Sequence, residues 1–288
     1  MKKPRKTIQK EIFITGVGIH SGQPCSVRLL PAPVFSGLCF RRLNSDDEPK
    51  RIIPTSIYKT IGSITVSDEI TNHRIKTIEH LLCALRALEI TDVLIENETE
   101  EIPITDGSAS VFFDSLKAAG IKEYASAYEP IQIEKQISIV NDNEEFAIVY
   151  PATKPEFSIC YTTDMNHFLL KEKTFAYTFD PETIEKEILI ARTFGFKEDM
   201  EKLKSRGMAL GASDANAVDL SNPEILHLLR CSDEPIRHKI LDFIGDLYSV
   251  GLPIYGNFVI HKGNHKLHIA LAKRIFEEYK LKQEVEEV

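Results

Sequence analysis

The sequence predicts an α+β fold built of two tandem units of similar architecture with a cleft between them, and three observations carry that prediction. Strand-like stretches dominate the chain before its first helix; a second run of strands opens after about residue 130; and both halves close on the same succession of helix, strand, loop and helix. The halves share little residue-by-residue identity, so this is a weak internal repeat, compatible with duplication of one α+β unit. A length of 288 residues, 43% of them hydrophobic and 27% charged, supplies the cores of two medium domains, placed here at 1–125 and 129–283.

The elements follow in order. Thr7 to Phe13, Ser26 to Leu30, Leu38 to Arg41 and Ser63 to Val66 read as strands, divided by turn signals such as Ser21-Gly22 and Pro31-Ala32-Pro33. A helix is expected from Thr77 to Leu88 and a strand from Asp92 to Glu96. Asp106-Gly107-Ser108 supplies a cap for a helix through about Ala119, which Gly120 closes. The polar, small-residue stretch Glu123 to Glu129 is the expected linker, ended by Pro130. Ile131 to Val140, Glu145 to Tyr150 and Phe157 to Thr162 then read as strands of a second sheet, and a new sheet implies a new domain. Asp180-Pro181 opens a helix to about Ile190, Glu198 to Ser205 suits a shorter one, and Asn222-Pro223 starts another. Ser232-Asp233-Glu234-Pro235 opens a further helix with acids at its positive end, and Gly251 with Pro253 ends it. A strand from Asn257 to His261 and a helix from Leu267 to Lys280 complete the second half.

The chemistry concentrates in two of these helices. His238, Asp242 and Asp246 stand at i, i+4 and i+8, so they share one helix face, while Ile240, Leu241, Ile244 and Leu247 form an apolar stripe opposite. The polar face is therefore expected to look into a cleft. Two ligands from this helix and a third from a distant segment would hold a zinc ion with one open position, the mark of a catalytic site. His80, His238 and Asp242 are the candidate ligands, because imidazole nitrogen and carboxylate oxygen suit Zn²⁺; ferrous iron takes the same ligand types. Bound water would become acidic enough to give hydroxide near neutral pH. Glu79 precedes a ligand but projects about a hundred degrees away around a helix, which suits a general base. Asp246 reads either as a solvated carboxylate or as the partner of a ligand's spare imidazole N–H.

Six motifs occur in order: Gly16-Val17-Gly18-Ile19-His20-Ser21-Gly22, Ile78-Glu79-His80-Leu81-Leu82, Glu101-Ile102-Pro103-Ile104-Thr105-Asp106-Gly107-Ser108-Ala109, Arg192-Thr193-Phe194-Gly195-Phe196, Arg237-His238-Lys239 through Asp246-Leu247, and Pro253-Ile254-Tyr255-Gly256. Each is weak alone; together they are specific, and the chain resembles the UDP-3-O-acyl-N-acetylglucosamine deacetylases over nearly its whole length. The resemblance implies helices layered against sheets in each of two domains, and a zinc amidase of lipid A biosynthesis. Its substrate would be a UDP-linked, 3-O-acylated N-acetylglucosamine, from which it removes acetate. By motif, His80, His238 and Asp242 become the zinc ligands and Glu79 the base. Asp246 and His265 become a pair in which the carboxylate orients a charged histidine that stabilises the oxyanion and protonates the departing amine. Thr193 matches a donor to the oxyanion, Phe194 a residue against the sugar, and Lys239 and Lys262 match lysines that meet the sugar or diphosphate. The alternative is a zinc amidase or esterase acting on a different acylated sugar or nucleotide; a binding module with a structural metal is the third reading.

Two stretches depart from the family pattern. Asn264-His265-Lys266-Leu267-His268 stands where Gly-His-x-Leu-Asn is usual, and Gly211-Ala212-Ser213-Asp214-Ala215-Asn216-Ala217 puts an acid where the family lines a passage for the acyl chain with apolar residues. An acid facing a lipid tail is costly unless it turns away. Of the remaining histidines, His73, His167, His227, His261 and His268 read as surface or structural. His20, in a glycine-rich motif, either approaches the cleft or shapes a turn.

Composition bounds the rest. A net charge of -8 argues against a general nucleic-acid surface. Five scattered cysteines without a Cys-x-x-Cys offer neither a disulfide framework nor a thiolate metal site, and a reducing compartment fits them. The basic Met1-Lys2-Lys3-Pro4-Arg5-Lys6 is not followed by an apolar run, and no stretch approaches the roughly 18 apolar residues of a membrane span. A cytoplasmic monomer is expected, receiving its lipid-bearing substrate in a groove or from a membrane surface.

Overall fold

Two mixed sheets organise the chain, and each has at its centre the strand that directly follows one of the helices bearing candidate ligands. The computed structural model describes residues 2–286, and the fold is α+β. Among the described residues there are six α-helices: α1 (Glu79–Ala87), α2 (Ser110–Ala119), α3 (Lys197–Ser205), α4 (Ile225–Leu228), α5 (Glu234–Tyr248) and α6 (His265–Glu286). After α1 the chain enters Val93–Asn97, which pairs antiparallel with Pro24–Pro31 and parallel with Leu38–Arg42; Ile12–Val17 and Lys50–Arg51 close the two edges. After α5 it enters Ile254–His261, antiparallel to Phe146–Tyr150 and parallel to Phe157–Thr163, with Ile137–Val140 and Lys173–Thr178 outside them.

Side-chain periodicity explains the layering. Along Phe157–Thr163 and Ile254–His261 every second residue is buried, as a strand with one covered face requires. Helix α1 is buried at every position, and α5 at all but Arg237 and Lys239, so the apolar stripe expected of α5 widens into a helix enclosed almost all round. The two helices pack on each other, and the buried apolar residues of both sheets and of α1, α2, α5 and α6 form one continuous core. Gly245 sets the approach: a Cβ at that position would lie 2.0 Å from the Glu79 carbonyl oxygen, so only glycine lets α5 come this close to the start of α1.

Several boundaries differ from expectation. The stretch read as one strand from Thr7 to Phe13 is two, Lys3–Ile8 and Ile12–Val17. The segment expected as a linker, Glu123 to Glu129, lies mostly in the strand Ile121–Tyr128, which pairs antiparallel with Lys3–Ile8. Its polar composition misleads because a two-stranded ribbon needs backbone hydrogen bonds and only a few buried side chains. Ile131 to Val140 is broken into Ile131–Gln132 and Ile137–Val140, the helix expected before Ile190 is a π-helical turn at Glu185–Leu189, and α6 begins at His265 rather than Leu267. The five cysteines are free, and no helix among the described residues is long and apolar enough to cross a membrane.

Candidate metal centre

The site begins with a turn the sequence does not advertise. Thr77 has φ 62°, a left-handed conformation disfavoured for a β-branched residue, and its hydroxyl donates to Glu101 Oε1 at 3.1 Å. The same buried carboxylate accepts the backbone N–H groups of His20 at 2.9 Å and Ser21 at 2.8 Å. Glu101 thus ties the glycine-rich loop to the residues just before α1, and α1 starts at Glu79, two residues later than expected. Glu79 and His80 consequently occupy the first turn of the helix.

His80, His238 and Asp242 converge. His238 Nε2 lies 3.3 Å and His80 Nε2 3.7 Å from Asp242 Oδ1, all three residues are buried, and the rings of the two histidines meet edge-on with centroids 5.1 Å apart. A tetrahedral ion with bonds of about 2.0–2.1 Å separates its ligand atoms by roughly 3.3 Å, so the donor set and its spacing fit a divalent cation. His238 Nδ1 donates to the Ala191 carbonyl at 3.0 Å, which leaves Nε2 as a free lone pair facing the cluster. Burial, foremost, lowers the His238 pKa to about 4, so the ring stays neutral as a ligand must. Burial opposes the charge of Asp242, but His238, His80 and Lys239 outweigh it and hold that carboxyl well below the ordinary range.

Beside the cluster stand two groups with opposed protonation. Glu79 accepts the Ile64 N–H on Oε2 at 3.2 Å, and burial raises its pKa to about 7. Across the pocket, 3.9 Å from Glu79 Oε1, is His265 Nε2. Burial is the largest influence on His265 and disfavours its charge, yet Asp246, Asp242 and Glu79 together raise its pKa to about 10. Its Nδ1 donates to Asp246 Oδ2 at 2.7 Å. A carboxyl that titrates near neutrality and an imidazole that holds its proton well above it are thereby set face to face.

These groups line an open pocket of about 810 Å³, counted to its mouth, together with Thr77, Thr193, Phe194 and Lys239. Arg192 delivers Thr193 and Phe194 to it: its guanidinium pairs with buried Glu234 at 2.8 Å, at the first residue of α5, and its own N–H bonds that carboxylate at 3.0 Å. Lys239 lies 3.5 Å from Asp242 Oδ2 and 5.4 Å from the Phe194 ring centroid. Ile19, Met200, Leu203, Met208, Ala212 and Ala217 give the pocket an apolar wall. Asp214 is exposed and absent from that lining, so the acid turns away.

Lys262 does not join the group. It donates to Glu144 at 2.9 Å and approaches Asp164 at 3.1 Å, outside the residues lining the pocket. His20 lines the pocket, and both its ring nitrogens are buried with no hydrogen-bond partner among the described residues. His268, read as surface or structural, is buried against Asp246, while His73 is structural, bonded to Asn97 at 3.0 Å. Glu101, Thr77 and Ala191 were invisible as site residues because each acts through a backbone or loop contact that spacing along the chain cannot reveal.

A buried pair of imidazoles and a carboxylate, flanked by a second carboxyl and a further imidazole, is the kind of equipment that metal-dependent hydrolases use. Residues 5–277 match the family model described as UDP-3-O-acyl N-acetylglycosamine deacetylase, and the chain belongs to that family. It is 39% identical to the UDP-3-O-acyl-N-acetylglucosamine deacetylase of Leptospira biflexa over 275 residues, which cover 94% of this chain and 89% of that one. It is 36% identical to the enzyme of the same name from Syntrophus aciditrophicus over 282 residues (95% and 86% covered), and 38% identical to that of Wolinella succinogenes over 280 (95% and 91%). The chain is therefore a hydrolytic deacetylase of a metalloenzyme family.

Proposed function

We propose that this chain hydrolyses the N-acetyl group of UDP-3-O-acyl-N-acetylglucosamine, releasing acetate and the free 2-amine in lipid A biosynthesis, with zinc or ferrous iron held by His80, His238 and Asp242. The observation that carries the proposal is the convergence of those three ligand atoms opposite Glu79 and His265 in one pocket with an apolar wall. The relatives' names supply the substrate. A bound dication supplies Lewis acidity and a more acidic water. Glu79 then takes a proton from the attacking water as the new C–O bond forms, and His265 gives its proton to the nitrogen as the C–N bond breaks. Thr193 donates to the developing oxyanion, Phe194 packs on the sugar, and Lys239 meets the sugar or diphosphate. Lys262 would reach the substrate only by exchanging Glu144 and Asp164 for it. The division at 1–125 and 129–283, the cytoplasmic setting, the monomeric state and transient contact with a membrane surface belong to the same proposal. The five free cysteines and the acidic balance support it, with no nucleic-acid partner.

The test is metal analysis of the purified protein alongside acetate release from the proposed substrate, with and without chelator. Stoichiometric divalent metal and chelator-sensitive release are expected; release that survives removal of the metal overturns the reading.

Glu79 must be ionised and His265 protonated, so activity should fall below a pH near 7 as Glu79 takes up a proton and above one near 10 as His265 loses its own. A nearby dication favours the carboxylate and disfavours the imidazolium, which moves both limbs to lower pH in the loaded enzyme. A pH profile of kcat/KM should be a bell; a flat profile from 5 to 10 would contradict the paired groups.

A further inference from the structure

Asp246 receives two imidazoles, not one. His265 and His268 stand one turn apart on α6, and both Nδ1 atoms lie on the same oxygen, Asp246 Oδ2, at 2.7 and 2.9 Å. The other oxygen, Oδ1, is buried with no hydrogen-bond partner among the described residues. Beyond His268 the chain of bonds continues: its Nε2 is 3.2 Å from the Tyr161 hydroxyl on the strand Phe157–Thr163, and the Phe243 ring stands edge-on to it with centroids 5.0 Å apart.

Three observations fix what this cluster is. First, separations of 2.7 and 2.9 Å are hydrogen-bond lengths, shorter than the roughly 3.3 Å between ligands of a tetrahedral ion, so protons occupy these gaps and a cation does not. Second, the carboxylate offers only lone pairs, so both Nδ1 atoms are donors. Burial, foremost, lowers the proton affinity of His268 and holds the Tyr161 phenol protonated, which leaves His268 Nε2 as the acceptor of the Tyr161 O–H. Third, the backbone makes room for this pair. A Cβ on Gly263 would lie 2.2 Å from the Tyr161 hydroxyl oxygen and 2.7 Å from His268 Nε2. The turn before α6 thus carries no side chain where Tyr161 and His268 meet.

Resting on the mechanism above, we propose that His268 is a positioning residue: neutral and anchored by Tyr161, it locks the Asp246 carboxylate so that Oδ2 faces His265. A carboxylate with a bare, buried Oδ1 and a single partner could turn about its Cβ–Cγ bond. Two N–H donors converging on Oδ2 from separate positions of one helix remove that freedom, and His265 is held with Nε2 toward Glu79 and the pocket. His265 itself faces Glu79 from α1, Asp242 and Asp246 from α5, and His20 from the glycine-rich loop. Of these, only Asp246 bonds its Nδ1, so the orientation of the acid depends on the orientation of that carboxylate.

The test compares His268→Asn with His268→Leu in the zinc-loaded enzyme. An asparagine amide can put an N–H close to where Nδ1 now sits, whereas leucine fills similar space without a donor. Leucine should lower kcat about tenfold or more with KM changed less than about twofold, because a misplaced acid costs transition-state and not ground-state binding. Asparagine should recover most of that loss. Nitrogen-15 NMR of the wild-type side chains gives a readout independent of turnover: His268 should be protonated at Nδ1 and bare at Nε2, and the His265 Nδ1–H signal should shift or broaden in the leucine variant alone. A charged or Nε2-protonated His268, an unchanged His265 signal in the leucine variant, or equal losses in both variants would overturn the proposal. Failure of the wild type to release acetate would instead defeat the functional reading, leaving the tautomer result standing by itself.

Discussion

Glu79→Ala is expected to bind metal at the wild-type stoichiometry while kcat falls by about 10²–10⁴-fold, the usual contribution of a positioned proton acceptor. The separation of the two readouts follows from geometry. Glu79 is next to His80 in sequence, yet its carboxylate is turned to the Ile64 N–H and to His265, and it is not one of the three converging ligand atoms. The same variant should lose the acidic limb of the pH profile, since that limb reports protonation of the Glu79 carboxyl, which burial holds near 7. Measuring metal content by mass spectrometry and kcat on one preparation decides the matter. Full occupancy with near-normal turnover would remove Glu79 from the role of base.

His238→Ala and Asp242→Ala should lose both metal and activity, with turnover approaching the uncatalysed rate, a loss of the order of 10⁶-fold. Two ligands remain in each variant, too few to compete with water and chelators for a cation that an active site already leaves open at one vertex. The fold should persist, because the site sits on a continuous core of apolar side chains that spans both sheets. Removing the buried, neutral His238 ring leaves Asp242 with His80 and Lys239 as neighbours but opens a void beside it, so this variant should also be destabilised, by about 1–3 kcal/mol. Circular dichroism with metal analysis tests both parts. A variant that keeps its metal refutes the ligand assignment, and one that unfolds on chelation marks the ion as structural.

Much of this was legible along the chain because helical spacing is local. His238, Asp242 and Asp246 at i, i+4 and i+8 must share a face, and nothing distant can alter that. The strands with strict alternation, Phe157 to Thr162 and Asn257 to His261, declared themselves for the same reason. The polar ribbon Ile121–Tyr128 did not, since its partner Lys3–Ile8 lies more than a hundred residues away and supplies backbone bonds that leave no pattern in side chains.

The order of residues along the chain was thus enough for the α+β class, for the faces of α1 and α5 that carry the candidate ligands, and for the types of chemical group available. Tertiary structure decided which of those groups meet. Gly245 against the Glu79 carbonyl, Glu101 holding the loops of His20 and Thr77, and Tyr161 reaching His268 are contacts between distant segments, set by packing of rigid elements. The protonation states of Glu79 and His265 belong with them, because burial and neighbouring charge exist only once the chain has folded.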